Sequence, residues 1–210
     1  MHDAAPLAVF AVLVFGIVVL PGMDMAFVAA SALLGGRPAG FAAVAGIVAA
    51  GGVHVAAGAL GLGLLLAHAP RAFNALLIAG ALYLAWLGLG LLRSRSALLA
   101  IGPAAPRSAW QTFGRAALTC LLNPKAYVFT VAVFPPFLRV APEALAGRAV
   151  ALGAIVTLTQ ALVYGAVALG ATGPRDWLAH SAPRQRAAAR GVGALFVVMA
   201  GWTVWQGWRV

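Results

Sequence analysis

A chain of 210 residues that is 63% hydrophobic and only 9% charged, with a mean hydropathy of +0.99, has too little polar surface to wrap a water-soluble globule. The net charge of +10 does not point to nucleic acid, because the arginines stand one to four at a time between apolar runs and form neither a basic face nor a tail. A single cysteine, Cys120, excludes a disulfide framework, a CxxC motif and a two-thiol relay.

Lipid therefore replaces water around most of the chain, and crossing it takes roughly 20 apolar residues. The first apolar run, Pro6 to Leu34, follows Met1-His2-Asp3, which lacks the positive segment of a cleaved signal and predicts a retained first span. Pro21 interrupts this run and Asp24 follows it at once. Gly35-Gly36-Arg37-Pro38 then separates a second run, Ala39 to Ala67, from the first, and His68 to Arg71 separates a third, Ala72 to Leu92. The stretch from Arg93 to Arg107, with Pro103 and Pro106, reads as the longest connection. A fourth run, Phe113 to Leu138, is interrupted by Pro124, with Lys125 directly after it. The fifth runs from Gly147 to Gly170 and the sixth from Ala187 to Trp208, where Trp202, Trp205 and Trp208 predict an aromatic belt at the interface.

The expected fold is an all-α integral membrane protein of about six transmembrane helices. Three runs precede the long connection and three follow it, so the second half enters the bilayer in the opposite sense. With a proline inside the first run of each half, this predicts two inverted three-helix repeats with proline-broken first and fourth spans. One transporter domain is expected, with repeat one at about 1–92, a cytoplasmic connection at about 93–112 and repeat two at about 113–210. Connections one, three and five hold nine arginines and the opposite side four, which predicts both termini outside.

Asp24 and Lys125 are the only full charges well inside apolar runs. An ionisable group there normally meets a partner or a wet cavity. Proline removes a backbone donor and suits the first turn of a new helix, so each break is expected to leave a helix N-terminus within the membrane, a favourable place for a carboxylate. Pro21 and Gly22 form the first break, with Asp24 placed to meet an ammonium group or exchange a proton. At the second, Asn123 caps, Pro124 begins the helix and Lys125 adds positive charge. An acid and a base on two breaks match a zwitterion, while the plainer reading is that Asp24 and Lys125 pair to hold the bundle. His54, on one face with Gly46 and Ala50, is suited to relay protons, though a core histidine bonded to a backbone carbonyl is the commoner case. Thr157, Gln160 and Tyr164 share a face of the fifth run, either lining the cavity or bonding between helices. Cys120 reads as a small hydrophobe. Neither a metal-ligand cluster nor a cofactor motif appears in the sequence.

Leu20-Pro21-Gly22-Met23-Asp24 followed by Gly36-Arg37-Pro38-Ala39-Gly40 resembles the opening of the LysE/RhtB amino-acid exporters. The second half is similar again in Phe113-Gly114-Arg115, Leu121-Leu122-Asn123-Pro124-Lys125-Ala126 and Phe134-Pro135-Pro136-Phe137. Ala79 to Gly88 resembles the family's third span and Arg190 to Leu195 its last. Two departures are Met23, where the family carries a second proline, and Pro136, where it carries Pro-Gln-Phe. The resemblance implies a secondary exporter of amino acids or related zwitterions, driven by proton antiport, in a bacterial inner membrane, and it implies that Asp24, Asn123, Pro124 and Lys125 belong to the site. Its partners are then the solute, protons and lipid, with homo-oligomerisation left open. The alternatives are efflux of another metabolite, a non-transporting accessory subunit, or an intramembrane enzyme using Asp24 and His54. The last lacks a second aspartate in a matching span, a nucleophile elbow and a metal-ligand set.

Overall fold

A computed structural model describes residues 4–60, 70–93, 108–138, 140–173 and 181–207. The expected run-out of the second span to Ala67, most of the Arg93–Arg107 connection and Trp208 lie outside these residues. All regular structure among the described residues is helical.

Helix α1 spans Ala4–Val19. It stops where Pro21, lacking an N–H, cannot extend the ladder, and the extended Gly22 (φ −162°, ψ −172°) leads into α2, Met23–Ala59. A straight helix of 37 residues is about 55 Å long, far more than the hydrocarbon thickness of about 30 Å. The chain resolves this at Gly36, whose φ of 78° is accessible without strain only to glycine. A Cβ built at Gly40 lies 2.8 Å from the Ala32 Cβ, whereas positions eight apart on a straight helix stand about 12 Å apart. Helix α2 is thus a hairpin, and Gly36 is the turn expected between the first two runs. Pro38 falls in the opening turn of the second arm, where its missing N–H is harmless.

Helix α3 is Pro70–Arg93 and α4 is Ala109–Leu121. Helix α4 begins four residues ahead of the expected Phe113 because Ser108 caps it, its Oγ accepting from the Gln111 N–H at 3.2 Å. After an interruption at Leu122-Asn123 come α5 (Pro124–Val128), one π turn (Phe129–Val133) and the short α6 (Phe134–Phe137). A 3₁₀ turn, Pro142–Ala144, leads into α7 (Leu145–Thr172), and α8 is Ala182–Gly207. Met23–Ala59 and Leu145–Thr172 are long and apolar enough to cross a membrane, and Ala5–Val19 and Ile78–Arg93 are shorter apolar stretches.

Close approaches at glycines give the direction of each packing. Along the second arm of α2, Gly46 meets the Phe113 carbonyl, His54 the Cys120 carbonyl, and Gly58 the Thr130 and Phe134 side chains, so the arm runs parallel to the α4–α6 segment. On its other flank Gly40 meets Ala168, Gly51 meets Gln160, and Val55 meets Gly153, so α7 is antiparallel to it. Helix α3 runs antiparallel to α4, with Gly80 against the Leu122 carbonyl and the Tyr83 hydroxyl 3.5 Å from the Arg115 carbonyl. Helices α3 and α8 pack chiefly on each other, antiparallel, with Gly88 and Gly193 in mutual contact with each other's carbonyls. Small residues at the crossings let backbones approach, as helices do where no water drives them together.

The outer surface carries the corresponding signature. Val12, Phe15, Leu82, Trp110, Leu162 and Val198 are all more than half exposed, an arrangement unfavourable in water and natural against lipid. Trp205 of the expected aromatic belt is exposed as well, while the side chain of Trp202 is outside the described set.

Candidate functional site

The two helix breaks face each other. At the second, the Asn123 Oδ1 accepts the Lys125 backbone N–H at 3.0 Å, capping α5 with Pro124 as its first residue. Because Pro124 has no N–H, the Cys120 carbonyl four residues earlier is released from the ladder. It accepts instead from the Asn123 N–H at 3.0 Å and lies 3.1 Å from the His54 Nε2. A carbonyl only accepts, so Nε2 is a nitrogen that carries a proton. The His54 ring also stands edge-on to Tyr127, centroids 4.9 Å apart.

Lys125 reaches back across the bundle. Its Nζ donates to the Leu20 carbonyl at the end of α1, 3.0 Å away, and a Cβ at Gly22 would come within 3.1 Å of that same nitrogen. The lysine therefore sits on a carbonyl freed by the first break, at the negative end of the α1 dipole. Asp24, in the first turn of α2, is 3% exposed. Its carboxylate faces the Asn123, Cys120 and Tyr164 side chains at hydrogen-bonding range and the Lys125 and His54 side chains beyond them, while Oδ1 itself has no partner at hydrogen-bond distance.

Asp24, His54, Lys125 and Gln160 line one cavity, together with Gly51, Thr130 and an apolar wall that includes Val14, Phe129 and Phe134. With the open space at its mouth included, it measures about 510 Å³. Among the described residues three buried polar atoms have no partner at hydrogen-bond distance: Asp24 Oδ1 and Gln160 Oε1, whose side chains line the cavity, and Nδ2 of Asn123, which does not line it. Their side chains are 3%, 8% and 2% exposed. An unmet buried polar group costs about 1–3 kcal/mol, so these three atoms are the ones here with hydrogen-bonding capacity left over.

Of the other residues singled out in the sequence, Tyr164 is 1% exposed behind the cavity and acts electrostatically with Asp24. Gly22 furnishes the seat for Lys125, and Pro21, with its ring exposed, contributes through the backbone. Thr157 is half-buried and stands off the cavity, its place on the wall taken by Val156. Sequence reasoning missed Gly51, Thr130, Phe129 and Phe134. Gly51 was within reach, since it precedes His54 by three residues and so shares its face. Thr130 and Phe129 are turned inward through the π turn, which no residue pattern announced.

The LysE type translocator profile matches residues 15–207. The chain belongs to the LysE type translocator family. It is accordingly a membrane transporter and not an enzyme. Among relatives, the "Homoserine/homoserine lactone efflux protein" of Salmonella typhimurium is 32% identical over 159 residues, covering 75% of this chain and 76% of its own. An "Uncharacterized membrane protein" of Pseudomonas aeruginosa is 30% identical over 186 residues, 86% of each. The "Threonine efflux protein" of Escherichia coli K12 is 33% identical over 123 residues, 56% of this chain and 59% of the relative. No solved structure matches the chain.

Proposed function

We propose that this LysE family protein exports a small zwitterionic amino acid from the bacterial cytoplasm by proton antiport, through the cavity between the two helix breaks. The observation that carries the reading is the set of unpaired groups at that cavity. Asp24 and Lys125 both line it: Asp24 Oδ1 suits an ammonium, and the Lys125 ammonium, with the Asn123 amide two residues before it in the chain, suits a carboxylate. Pro21, Gly22 and Pro124 keep the backbone open on either side. The efflux functions named for relatives from Salmonella and Escherichia coli agree with this assignment.

We take the chain as six spans in two inverted repeats: α1 with the first arm of α2, its second arm, and α3, then α4 to α6, α7, and α8. The packing supports this. An internal two-fold relates the second arm to α7 and α3 to α8, and each of these pairs is in extensive contact. It also relates the second-arm packing on α4 to the packing of α7 on α1, and both occur. The directions alternate as six crossings require. The Gly36 turn, the start of α4, the end of α7 and the Arg93 end of α3 all fall at one end of the bundle, which gathers the arginine-rich connections on one side and favours N-out, C-out insertion in the inner membrane. Gly51 then lies about 21 Å along the arm from Arg37 and about 14 Å from Leu60, near mid-membrane.

Alternating access moves the solute: the inside-open state loads it, and the outside-open state releases it as Asp24 takes a proton. His54, which lines the same cavity, relays that proton. The test is efflux from cells lacking their own exporters, loaded with amino acids as dipeptides. Selective efflux that both a protonophore and Asp24→Asn abolish is expected. An Asp24→Asn protein that still couples efflux to the proton gradient removes Asp24 as the coupling group, and absence of efflux for every amino acid from membrane-inserted protein removes the amino-acid reading.

A further inference from the structure

Within the export reading above, on which this rests, the ammonium and carboxylate of the solute engage Asp24, Asn123 and Lys125. That leaves the third unpaired atom, Gln160 Oε1, without a role. Gln160 sits in the middle of α7 on the cavity wall, 8% exposed. Its carboxamide lies so close to Gly51 that a Cβ there would collide with Oε1 and stand 2.9 Å from Nε2. The absence of a side chain at Gly51 is therefore what lets the amide occupy this position, on the face of the second arm that also presents His54.

Val55 and Val156 also line this cavity, and their side chains have nothing to hydrogen-bond the carboxamide. A carboxamide in such surroundings discriminates by hydrogen bonding, because an occupant with no polar group leaves it unpaired. The two charged ends of the zwitterion are already matched elsewhere, so the group that reaches Gln160 is the solute's side chain. A hydroxyl is the neutral group that satisfies the amide whichever way round it lies, since it both donates and accepts.

We propose that Gln160, held in place by the space at Gly51, is the specificity-determining residue of this transporter and selects amino acids that carry a side-chain hydroxyl over aliphatic ones of the same shape.

The test uses isosteric pairs, L-threonine against L-valine and L-homoserine against L-norvaline, competing for binding to the purified full-length protein in lipid nanodiscs and for efflux in cells. The expected result is roughly tenfold preference for the hydroxyl member of each pair, the size of one hydrogen bond lost from a buried group. In Gln160→Leu the preference falls to near unity because the aliphatic member binds better, and not because both bind worse. Gly51→Ala, which forces the amide from its position, is expected to reduce the same ratio with Gln160 intact. Equal binding of the two members by the unaltered protein overturns the proposal, as does a Gln160→Leu protein that loses both members equally. Should the unaltered protein neither bind nor export any of the four, the export reading itself fails, an outcome distinct from transport without discrimination.

Discussion

Asn123 performs two tasks that substitution can separate. Its Oδ1 caps α5 through the Lys125 N–H at 3.0 Å, while its Nδ2 is buried and unpaired beside the cavity. Serine caps a helix about as well as asparagine, so Asn123→Ser preserves the start of α5 within a few tenths of a kcal/mol but removes the amide donor. If that donor binds the solute carboxylate, a hydrogen bond to a charged group worth roughly 1.5–3 kcal/mol is lost, and affinity drops by about 10- to 150-fold. Asn123→Ala loses the donor and also the cap, a further cost of about 1 kcal/mol to stability. Thermal unfolding in nanodiscs without solute reads the cap, and amino-acid binding at one temperature reads the donor. The expected pattern is a lowered midpoint for alanine only and weakened binding for both. An Asn123→Ser protein that binds its solute with undiminished affinity refutes the two-task account and returns Asn123 to a purely structural role.

Lys125→Ala is expected to weaken binding of the carboxylate-bearing solute more than of its amide derivative, in competition assays on protein that inserts normally. His54→Gln keeps a donor for the Cys120 carbonyl but cannot relay a proton, so near-normal stability with slowed gradient-driven efflux is expected, whereas His54→Leu also loses about 1 kcal/mol through the broken bond. At Gly36, where φ is 78° and ψ −175°, Gly36→Ala is expected to destabilise the α2 hairpin by about 1–3 kcal/mol, read as a lower unfolding midpoint. An unchanged midpoint would mean the turn relaxes at no cost.

The helical pieces of the fold were legible because each apolar run is bounded by residues with strong local rules. Gly36 and Pro38 mark a reversal, and Pro21 and Pro124 the interruptions, whereas the helix start at Ser108 was not read. Asp24 and Lys125 stood out because charge is rare in such runs. That they share a cavity with Gln160 and His54 was a guess about faces, and only the packing of the second arm of α2 between α4 and α7 brings them together. Thr157 shows where the reasoning stops: helical spacing put it on the face of Gln160, but the cavity wall carries Val156 and not Thr157. The inward turn of Phe129 and Thr130 depends on one extra residue in a helical turn, which sequence periodicity does not carry. The partner of Lys125 was not legible either, because a backbone carbonyl has no letter of its own.

That partner bears on how a transporter releases what it binds. Had Lys125 formed a close ion pair with Asp24, a solute entering the cavity would have to break a charge-assisted contact before making its own. The Nζ instead rests on the neutral Leu20 carbonyl, a hydrogen bond of roughly half the strength of one to a carboxylate. An arriving carboxylate outcompetes that carbonyl by a modest margin, enough to draw the lysine off and leave the end of α1 uncapped. When the solute leaves, the carbonyl recaptures the lysine, so the empty carrier is not left with a bare ammonium in a cavity of low polarity. The resting contact bridges the two broken helices, one from each proposed repeat. If, as proposed, the solute carboxylate takes Lys125, loading the cavity would release a tie between them and couple occupancy to their freedom to move past one another. An Asn123 or Gln160 variant should leave that tie intact, whereas Lys125→Ala should loosen the pair even without solute, as increased backbone hydrogen exchange at residues 20–24 and 123–126. Exchange at those residues equal to that of the unaltered protein would separate binding from the movement of the two halves.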